Sequence, residues 1–462
     1  MSLTILQPQI KSQRVVLVDP GYPYGKKPYM GGSVVAVAAQ LMGAGHSVEV
    51  VDFNIDEIDD QRVSELFAAA DTIGISVMGS PGIPGALKFT NRMLGEHPNK
   101  KLILGGQVIS RFSLAQFRQV FGPKAIQMAN EHDLGQMFGS LPPAYEVSFQ
   151  DVWEHMGDQR LRDYLSHEFA LVLSQGCIYT CAFCSAQKGQ KETFRNLSVF
   201  RNDLRYLLQK AKQFGIARIE CYASSLDFFQ TPKVVSQYME AMAEAQEEIG
   251  VKIATRCLTC MNTFLAASRQ LQDFAELVHR SGLWCLGFGV DGPTEEVWQE
   301  QHKAQNRMDD VSVCYDLCQQ IGVRAEVLTV MGYPTDSPKR LWQTIKHLSG
   351  FVRRWPNTVL RPYVAREVLP GNDGWRERTQ VVEKLVANPN QFYNLDICGL
   401  ANHTTHPGSR WQRLLVNLAY LWVICRYGPF GRCATSPLLP QGEAGLYGQF
   451  AKLVNQYMPF DR

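Results

Sequence analysis

Cysteine is absent from the first 176 residues of this 462-residue chain, and all 12 cysteines lie at or after Cys177. We expect no signal peptide before them, because the stretch from Met1 to Gln13 is polar and has no apolar core. Cysteines of a chain without a secretory signal usually stay reduced. We therefore expect a cytoplasmic protein whose thiols are free or bound to metal.

The chain also lacks a strong net charge and a long apolar run. Its 46 basic and 44 acidic residues leave a formal charge of +2, so no global field attracts nucleic acid or an anionic membrane. The apolar stretch from Leu414 to Cys425 is 12 residues long and contains Asn417, whereas a membrane span needs roughly 20 residues. We expect a buried helix there, no membrane span and no nucleic-acid partner. With 45% hydrophobic residues, a chain of this length should form two or three globular domains.

The first 145 residues alternate between apolar strand patterns and helical spacing. This alternation predicts an α/β fold with a doubly wound, Rossmann-like parallel sheet, which binds ligands beyond the carboxyl ends of its strands. Glycines crowd the loops at those ends and would let a large flat or extended ligand approach the backbone. A flavodoxin-like scaffold with tight turns and no such ligand is the alternative. The predicted strands are Arg14 to Asp19, His46 to Asp52, Thr72 to Met78, Lys101 to Gly105 and Ala125 to Ala129.

The turn after the first predicted strand reads D-P-G-Y-P-Y-G and lacks the G-x-G-x-x-G fingerprint of dinucleotide-binding folds. Its prolines suit a rigid loop rather than a helix N-terminus that binds pyrophosphate. The sequence therefore argues against a dinucleotide as the ligand of this sheet.

The middle of the chain carries three thiols in eight residues, C-I-Y-T-C-A-F-C, at Cys177, Cys181 and Cys184. The preceding stretch, Phe169 to Gly176, predicts a buried strand that ends in a turn, so the cysteines begin a loop. Three thiolates would fill three corners of a four-iron cluster and leave one iron open, whereas structural zinc and ordinary ferredoxin clusters take four protein ligands. An open iron indicates a cofactor that reacts. The alternative is three buried cysteines on one helix face, because positions i, i+4 and i+7 also align there.

The pattern C-x-x-x-C-x-aromatic-C, with Phe183 in the aromatic position, resembles the signature of the radical S-adenosylmethionine (SAM) enzymes. The resemblance implies a [4Fe-4S] cluster whose open iron is chelated by SAM, and an electron donor such as flavodoxin or ferredoxin. Reductive cleavage of SAM in that family yields a 5'-deoxyadenosyl radical that abstracts hydrogen from the substrate. Six predicted β-α units after Glu168 fit the partial (β/α)6 barrel of the family, with function at the carboxyl ends of its strands.

The resemblance also implies where SAM would bind. In the family, polar or glycine-rich segments at successive strand ends hold SAM. Here the segments L-G-F-G-V-D and M-G-Y-P resemble the ribose and adenine motifs, and an arginine after the third strand would pair with the SAM carboxylate through its planar fork. For each residue a loop cap or surface turn is the alternative. The residues implied are Phe183, Ser225, Asp227, Arg256, Gly289, Asp291, Met331 and Gly332.

Residues 14 to 140 resemble the cobalamin-binding domain that precedes many radical SAM cores, through the strand ends I-G-I-S-V-M and L-I-L-G-G-Q. The resemblance implies a corrinoid whose nucleotide tail lies along the carboxyl ends of the strands. The residues implied in that channel are Ser76, Gly105, Gly106 and Gln107.

The lower face of the corrinoid would meet the loop from Asp19 to Gly32, which lacks the D-x-H-x-x-G motif and contains no histidine. It offers Tyr24 and Lys26 among prolines and glycines instead. Protonated lysine has no lone pair, and a neutral tyrosine oxygen is a poor ligand. We therefore predict base-off cobalamin without a histidine ligand from the protein.

Further cysteines and histidines leave several alternatives open. Cys257 and Cys260 follow the third predicted strand of the barrel and would act as catalytic thiols, or join Cys314 and Cys318 in an auxiliary cluster. Buried packing is the simpler role of free cysteines. The histidines of N-H-T-T-H-P-G, together with Cys398, match no usual zinc spacing.

The predicted domains are a cobalamin-binding Rossmann-like domain at residues 1–145, a linker at 146–167, a radical SAM partial barrel at 168–370 and a mostly helical C-terminal segment at 371–462. The last segment would either close the barrel mouth over the substrate or cover a barrel edge.

The resemblance implies a cobalamin-dependent radical SAM C-methyltransferase that acts on a small-molecule or natural-product intermediate. One alternative is oxidative cyclisation or rearrangement with cobalamin as a redox partner, and another is a corrinoid or redox sensor without catalysis. A methylthiotransferase is disfavoured, since relatives of that class bind a second cluster through three cysteines ahead of the core and residues 1–176 contain none.

Overall fold

The computed structural model of the chain describes residues 11–20, 31–53, 61–79, 82–184, 186, 188–292, 294–333, 335–365, 382–383, 386–387, 401, 406 and 408–427. It contains two parallel sheets that follow one another along the chain.

The first sheet has five parallel strands in the order β2-β1-β3-β4-β5. Its first strand is fully apolar at Val15, Val16 and Val18, which are all 0% exposed because helices cover both faces. The strand order reverses direction beside β1, and ligands of doubly wound sheets bind at such a point. The elements are β1 (Arg14–Asp19), α1 (Gly32–Gly43), β2 (Ser47–Asp52), α2 (Gln61–Ala69), β3 (Thr72–Ser76), α3 (Ile83–Glu96), β4 (Lys101–Gly105), α4 (Leu114–Phe121), β5 (Ile126–Gln127) and α5 (Glu131–Phe138).

Two helices, α6 (Gln150–Met156) and α7 (Asp158–Leu165), connect the sheets. Trp153 and Tyr164 are buried, and the Tyr164 hydroxyl donates to Asp52 Oδ2 over 2.5 Å. The segment predicted as a linker of one or two helices is therefore a packed pair of helices.

The second sheet has six parallel strands in the order β13-β12-β11-β10-β9-β6. In the described residues its two outer strands do not pair, so the sheet is an open partial barrel, as predicted. The strands are β6 (Glu168–Val172), the short antiparallel pair β7 (Ser174–Gln175) and β8 (Thr193–Phe194), β9 (Arg218–Ser224), β10 (Lys252–Thr259), β11 (Leu283–Gly289), β12 (Arg324–Met331) and β13 (Thr358–Val364). The helices are α8 (Leu197–Gln213), α9 (Pro232–Ile249), α10 (Met261–Gln270), α11 (Phe274–Arg280), α12 (Glu295–Glu300), α13 (Met308–Gln320) and α14 (Pro338–Arg354).

One hydrophobic core spans both sheets. It runs from Leu17 and Ala38 in the first sheet layer through Trp153 between the sheets to Phe200 and Phe288 in the barrel. A second core lies on the other face of the first sheet. The first sheet is thus attached to the barrel by packed apolar side chains.

The last described helix, α15 (Arg410–Tyr427), lies against α14 and the outer strand β13. Its existence was predicted, but the prediction that its apolar stretch is buried is wrong for one face. Val416, Tyr420 and Val423 are buried, whereas Leu414 is 46% and Leu418 54% exposed, because the helical period places apolar residues on both faces. No described helix is long and apolar enough to cross a membrane.

The described part of the C-terminal segment covers the edge strand β13 and also packs on Gly332 at the end of β12, so both predicted roles of this segment stay predictions. Most of the predicted helix from Trp375 to Ala387 lies outside the described residues.

Candidate functional site

The three clustered cysteines lie in a loop at the carboxyl end of β6. The short pair β7 and β8 joins the two ends of this loop. Gly176 begins it with φ +94°, where a Cβ atom would lie 2.7 Å from the Lys191 carbonyl oxygen, so only glycine fits this turn. Cys177, Cys181 and Cys184 are outside any helix and half-buried. The loop was predicted, and the alternative of one shared helix face is wrong.

The thiols of this loop are close enough to influence one another. Burial, followed by the charges of Asp227 and of the neighbouring thiols, raises the pKa of Cys177 to about 11, and burial also raises the pKa of Cys184. Three thiolates are therefore unfavourable here unless a cation joins them. Among the described residues, no group of three Cys, His, Asp or Glu side chains is arranged to hold a metal ion.

Two N–H groups already point at the sulfurs. The Ala186 amide donates to Cys184 Sγ over 3.4 Å, and Gln305 Nε2 donates to Cys181 Sγ over 3.5 Å. Hydrogen bonds of this kind stabilise the thiolates of iron–sulfur clusters. The donor set of the loop therefore fits a cluster held by three cysteines.

Glu192 anchors the base of the cysteine loop and was not predicted from sequence. Its Oε1 accepts hydrogen bonds from Ser174 Oγ at 2.6 Å and Ser225 Oγ at 3.3 Å. Its Oε2 accepts from Gln230 Nε2 at 3.2 Å and Thr231 Oγ1 at 3.0 Å. Ser225, which the resemblance assigns to SAM, thus also connects the loop after β9 to the cysteine loop.

Asp227 presents a buried acceptor beside the cysteine loop. Its Oδ1 accepts from Thr259 Oγ1 and Thr263 Oγ1, each at 2.8 Å, and from the Cys260 amide at 3.0 Å. Its Oδ2 is buried and has no hydrogen-bond partner among the described residues. Burial raises the pKa of this carboxyl. An unpartnered buried oxygen at this place fits a cationic donor such as the amino group of SAM.

Arg256 does not lie where the sequence predicted. Strand β10 continues three residues past it, so Arg256 is inside the barrel wall rather than at the strand end. Its guanidinium forms two hydrogen bonds of 3.0 Å to the carboxylate of Glu168 and lies 3.8 Å from Glu326 Oε2. A fork already occupied by a carboxylate argues against the predicted pairing with the SAM carboxylate.

The segment at the end of β11 is held by a lysine that sequence analysis missed. Lys303 Nζ donates to the Gly289 carbonyl oxygen over 2.7 Å and forms an ion pair with Asp291. Asn306 Nδ2 donates to the same carbonyl over 3.0 Å. The Asp291 carboxylate, predicted to contact ribose, is therefore already paired. Lys303, Gln305 and Asn306 lie between α12 and α13 in an irregular stretch without a recognisable motif, so no sequence signal marked them.

Met331 and Gly332, predicted to shape the adenine site, are covered by the C-terminal segment. Gly332 has φ +80° and packs directly against Val416 of α15. Its amide donates to Asp336 Oδ2 over 2.9 Å, so the turn is stabilised internally. These two residues shape the end of β12 through backbone geometry, because Met331 is only 1% exposed.

His406 connects the C-terminal segment to this turn. Its burial indicates that the stability of the protein depends on pH. Its Nδ1 accepts from the Gly408 amide over 3.2 Å, and its Nε2 therefore donates to the Gly332 carbonyl oxygen. Burial lowers the pKa of His406. The His406 imidazole thus binds a proton more readily in the unfolded chain than in the folded one. The free energy of unfolding therefore decreases as the pH falls below the ordinary histidine pKa of about 6.5.

We expect the urea midpoint of the wild-type protein to decrease as the pH is lowered from 7.5 to 5.5. The substitution His406→Gln should reduce this pH dependence of the midpoint. His132→Gln, at an exposed histidine on α5, should leave the dependence unchanged. Equal pH dependence in wild type and His406→Gln would contradict the assignment.

The remaining cysteines divide by burial. Cys257 lies within β10 and is 0% exposed, as is Cys314 on α13, so both thiols are packed in the interior. Cys260 is the N-cap of α10, and burial, followed by the charge of Asp227, raises its pKa. The catalytic role predicted for Cys257 and Cys260 stays a prediction. Cys398 and His403 lie outside the described residues.

The predicted cobalamin residues gather at the carboxyl edge of the first sheet. Gly106 has φ +104°, and a Cβ atom there would lie 2.6 Å from the Val77 carbonyl oxygen. Ser76 Oγ lies 3.3 Å from Ser33 Oγ at the start of α1. Gly105 is half-buried and Gln107 exposed, so the edge offers small, accessible polar groups that fit an extended polar tail.

The lower-face prediction concerns Tyr24 and Lys26, which lie outside the described residues. His46 is a buried histidine that could be considered as a cobalt ligand instead. It precedes β2 and therefore lies at the opposite edge of the sheet from the strand ends. Its Nδ1 accepts from the Gln13 amide at 3.1 Å, and its Nε2 lies 3.0 Å from the Phe138 carbonyl oxygen. Both ring nitrogens are therefore engaged.

The carboxyl edge of the first sheet adjoins the cysteine loop. Arg111, just beyond β4, donates from Nη2 to the Ala186 carbonyl oxygen. Gly32 at the start of α1 packs on Val172 of β6, whose Cγ2 would lie 2.5 Å from a Cβ atom at position 32. The two predicted cofactor regions therefore lie next to each other.

No protein-family model matches the sequence, and no curated protein matches it at a significant level. Solved structures do resemble it. The radical SAM methyltransferase TsrM from Kitasatospora setae, with cobalamin and a [4Fe-4S] cluster bound, superposes with a TM-score of 0.66 over 97% of this chain and 99% of its own at 14% identity. TsrM with tryptophan substrate and the SAM analogue aza-SAM gives a TM-score of 0.62 at 14% identity, covering 89% of each chain.

The cobalamin-dependent SAM radical enzyme OxsB, with aqua-cobalamin bound, gives a TM-score of 0.61 at 14% identity and covers 90% of this chain and 68% of its own. These likenesses extend over both sheets rather than over the barrel alone. The chain therefore has the fold of the cobalamin-dependent radical SAM enzymes.

Proposed function

We propose that this protein is a cobalamin-dependent radical SAM enzyme, and specifically a C-methyltransferase of a small-molecule substrate. The observation that carries the proposal is the contact of Arg111 with Ala186, which brings the glycine-rich edge of the first sheet beside the loop of three cysteines. The solved structures of this fold hold cobalamin, a [4Fe-4S] cluster and a SAM analogue.

When bound, the cluster would supply an electron for SAM cleavage and cobalamin would carry a methyl group. The residues of this chain would bind and orient these groups. Cys177, Cys181 and Cys184 would hold three irons, and the unpartnered Oδ2 of Asp227 would accept a hydrogen bond from the SAM amino group. The small residues Ser76 and Gly106 would leave room for the corrinoid tail.

The first test is anaerobic reconstitution with iron, sulfide and cobalamin, followed by reduction with SAM present. We expect about four irons per chain, since three cysteines with one open position suit a four-iron cluster, and release of 5'-deoxyadenosine. Iron loading without any SAM cleavage or methyl transfer would contradict the proposal and favour a sensor.

Methyl-labelled SAM distinguishes methylation from oxidative cyclisation or rearrangement. With candidate substrates, we expect label in the product. A product of unchanged carbon count, formed together with 5'-deoxyadenosine, would instead support the cyclase alternative. Tryptophan, the substrate named for TsrM, is the first compound to test because TsrM has the same fold as this chain.

A further inference from the structure

A buried cation lies against the cysteine loop. The segment between α12 and α13 packs on this loop, with the Ala182 amide donating to the Gln301 carbonyl oxygen over 3.1 Å. This contact brings Lys303, which is only 4% exposed, over the ring of Phe183 at 5.6 Å from its centroid. An ammonium group this deeply buried is energetically costly unless it is paired.

The ammonium of Lys303 is paired with an acid and lies beside the cysteine loop. Asp291 and the Gly289 carbonyl oxygen accept hydrogen bonds from it. Burial alone would lower its pKa, but the charges of Asp291, Cys260 and Cys181 outweigh burial and raise it. The ion pair with Asp291 therefore keeps a positive charge over Phe183, beside the cysteine loop.

Gln305, two residues further, reaches the same cysteine. Its Nε2 donates to Cys181 Sγ over 3.5 Å, and the residue is 9% exposed. An N–H group directed at a cluster sulfur and a positive charge nearby both stabilise the more negative state of the cluster. Lys303 and Gln305 therefore act on the same side of the loop.

We propose that Lys303 and Gln305 raise the reduction potential of the cluster bound by Cys177, Cys181 and Cys184. The proposal rests on the proposed function, because it requires the cluster. One electron would enter the cluster from a reductant, with no bond made or broken, and the ammonium and the amide would stabilise the added negative charge. Lys303 and Gln305 are positioning residues that act through Cys181.

The test is a potentiometric titration of the full chain, reconstituted without SAM, with dithionite as the electron source and paramagnetic resonance of the reduced cluster as the signal. We expect Lys303→Met and Gln305→Leu to retain iron but to shift the midpoint to more negative potential. Lys303→Arg should restore most of the wild-type value because it keeps the charge. The double variant Lys303→Met with Asp291→Asn should shift the midpoint less than Lys303→Met alone. The single variant leaves the Asp291 carboxylate without its lysine, whereas the double variant removes that negative charge as well.

Two control variants separate this effect from general disturbance of the loop. Lys188 donates to the Cys181 carbonyl oxygen over 2.9 Å but is only half-buried. Its charge is therefore screened more by solvent than that of Lys303, and Lys188→Met should shift the midpoint less. Gln301 contacts the loop through its backbone, so Gln301→Leu should leave the midpoint unchanged.

Unchanged midpoints in both Lys303→Met and Gln305→Leu, with full iron content, would overturn the proposal. If Lys303→Met loses iron, the midpoint of Gln305→Leu decides. A wild-type protein that binds no iron would contradict the proposed function instead, because the midpoint then has no cluster to report.

Discussion

Replacing Cys177, Cys181 or Cys184 by Ala is expected to remove nearly all bound iron and all SAM cleavage. Each residue would supply one of only three protein ligands. Loss of a group that merely supports a ligand costs about 10–100-fold in metal affinity, so loss of a ligand should cost more. Iron content, the absorbance of the cluster and release of 5'-deoxyadenosine measure the outcome.

Cys221→Ala is the matched control for these variants. Cys221 is buried in β9 at 1% exposure and belongs to the hydrophobic core. The small cavity should cost about 1 kcal/mol of unfolding free energy and leave iron and cleavage intact. Full iron and full cleavage in any one of the three loop variants would disprove the cluster assignment.

Gly106→Ala is expected to abolish cobalamin binding while iron loading continues. A left-handed Ala costs about 1–2 kcal/mol, and its Cβ atom would lie 2.6 Å from the Val77 carbonyl oxygen. The two strand ends would have to separate, at a total cost of roughly 3 kcal/mol. Cobalamin absorbance after gel filtration and the iron content report the two sites separately.

Gly122→Ala isolates the effect of close packing at position 106. Gly122 has φ +86°, and a Cβ atom there meets nothing within 4 Å. This control therefore carries the backbone strain alone and should bind cobalamin normally. Equal cobalamin binding by the two variants would show that the predicted channel is not at Gly106.

The features that sequence predicted are those with local patterns. The alternation of apolar strand patterns and helical spacing predicted both sheets. The spacing of three cysteines after a strand predicted the loop. Arg256 was misplaced because the strand was predicted to end there, whereas Cys257 to Thr259 continue the pairing with β11. An error of three residues moved a side chain from the strand end into the barrel wall.

The residues that sequence missed act across long distances in the chain. Glu192 meets Thr231, and Gln305 meets Cys181, which lies 124 positions earlier. Neither belongs to a motif or a periodic pattern. Their roles depend on which loops the strand order brings together, and only the folded chain determines that.

The continuous core across the two sheets also limits how far the sheets could move apart during a reaction at their boundary. Trp153 and Leu161 fill the space between the sheets, and both are nearly inaccessible to water. Separating the sheets would expose this apolar surface, so large opening motions carry a high energetic cost. Exchange of substrate and product is then expected to depend on movements of loops at the boundary, and the distance between the two cofactor regions would stay nearly constant through a catalytic cycle.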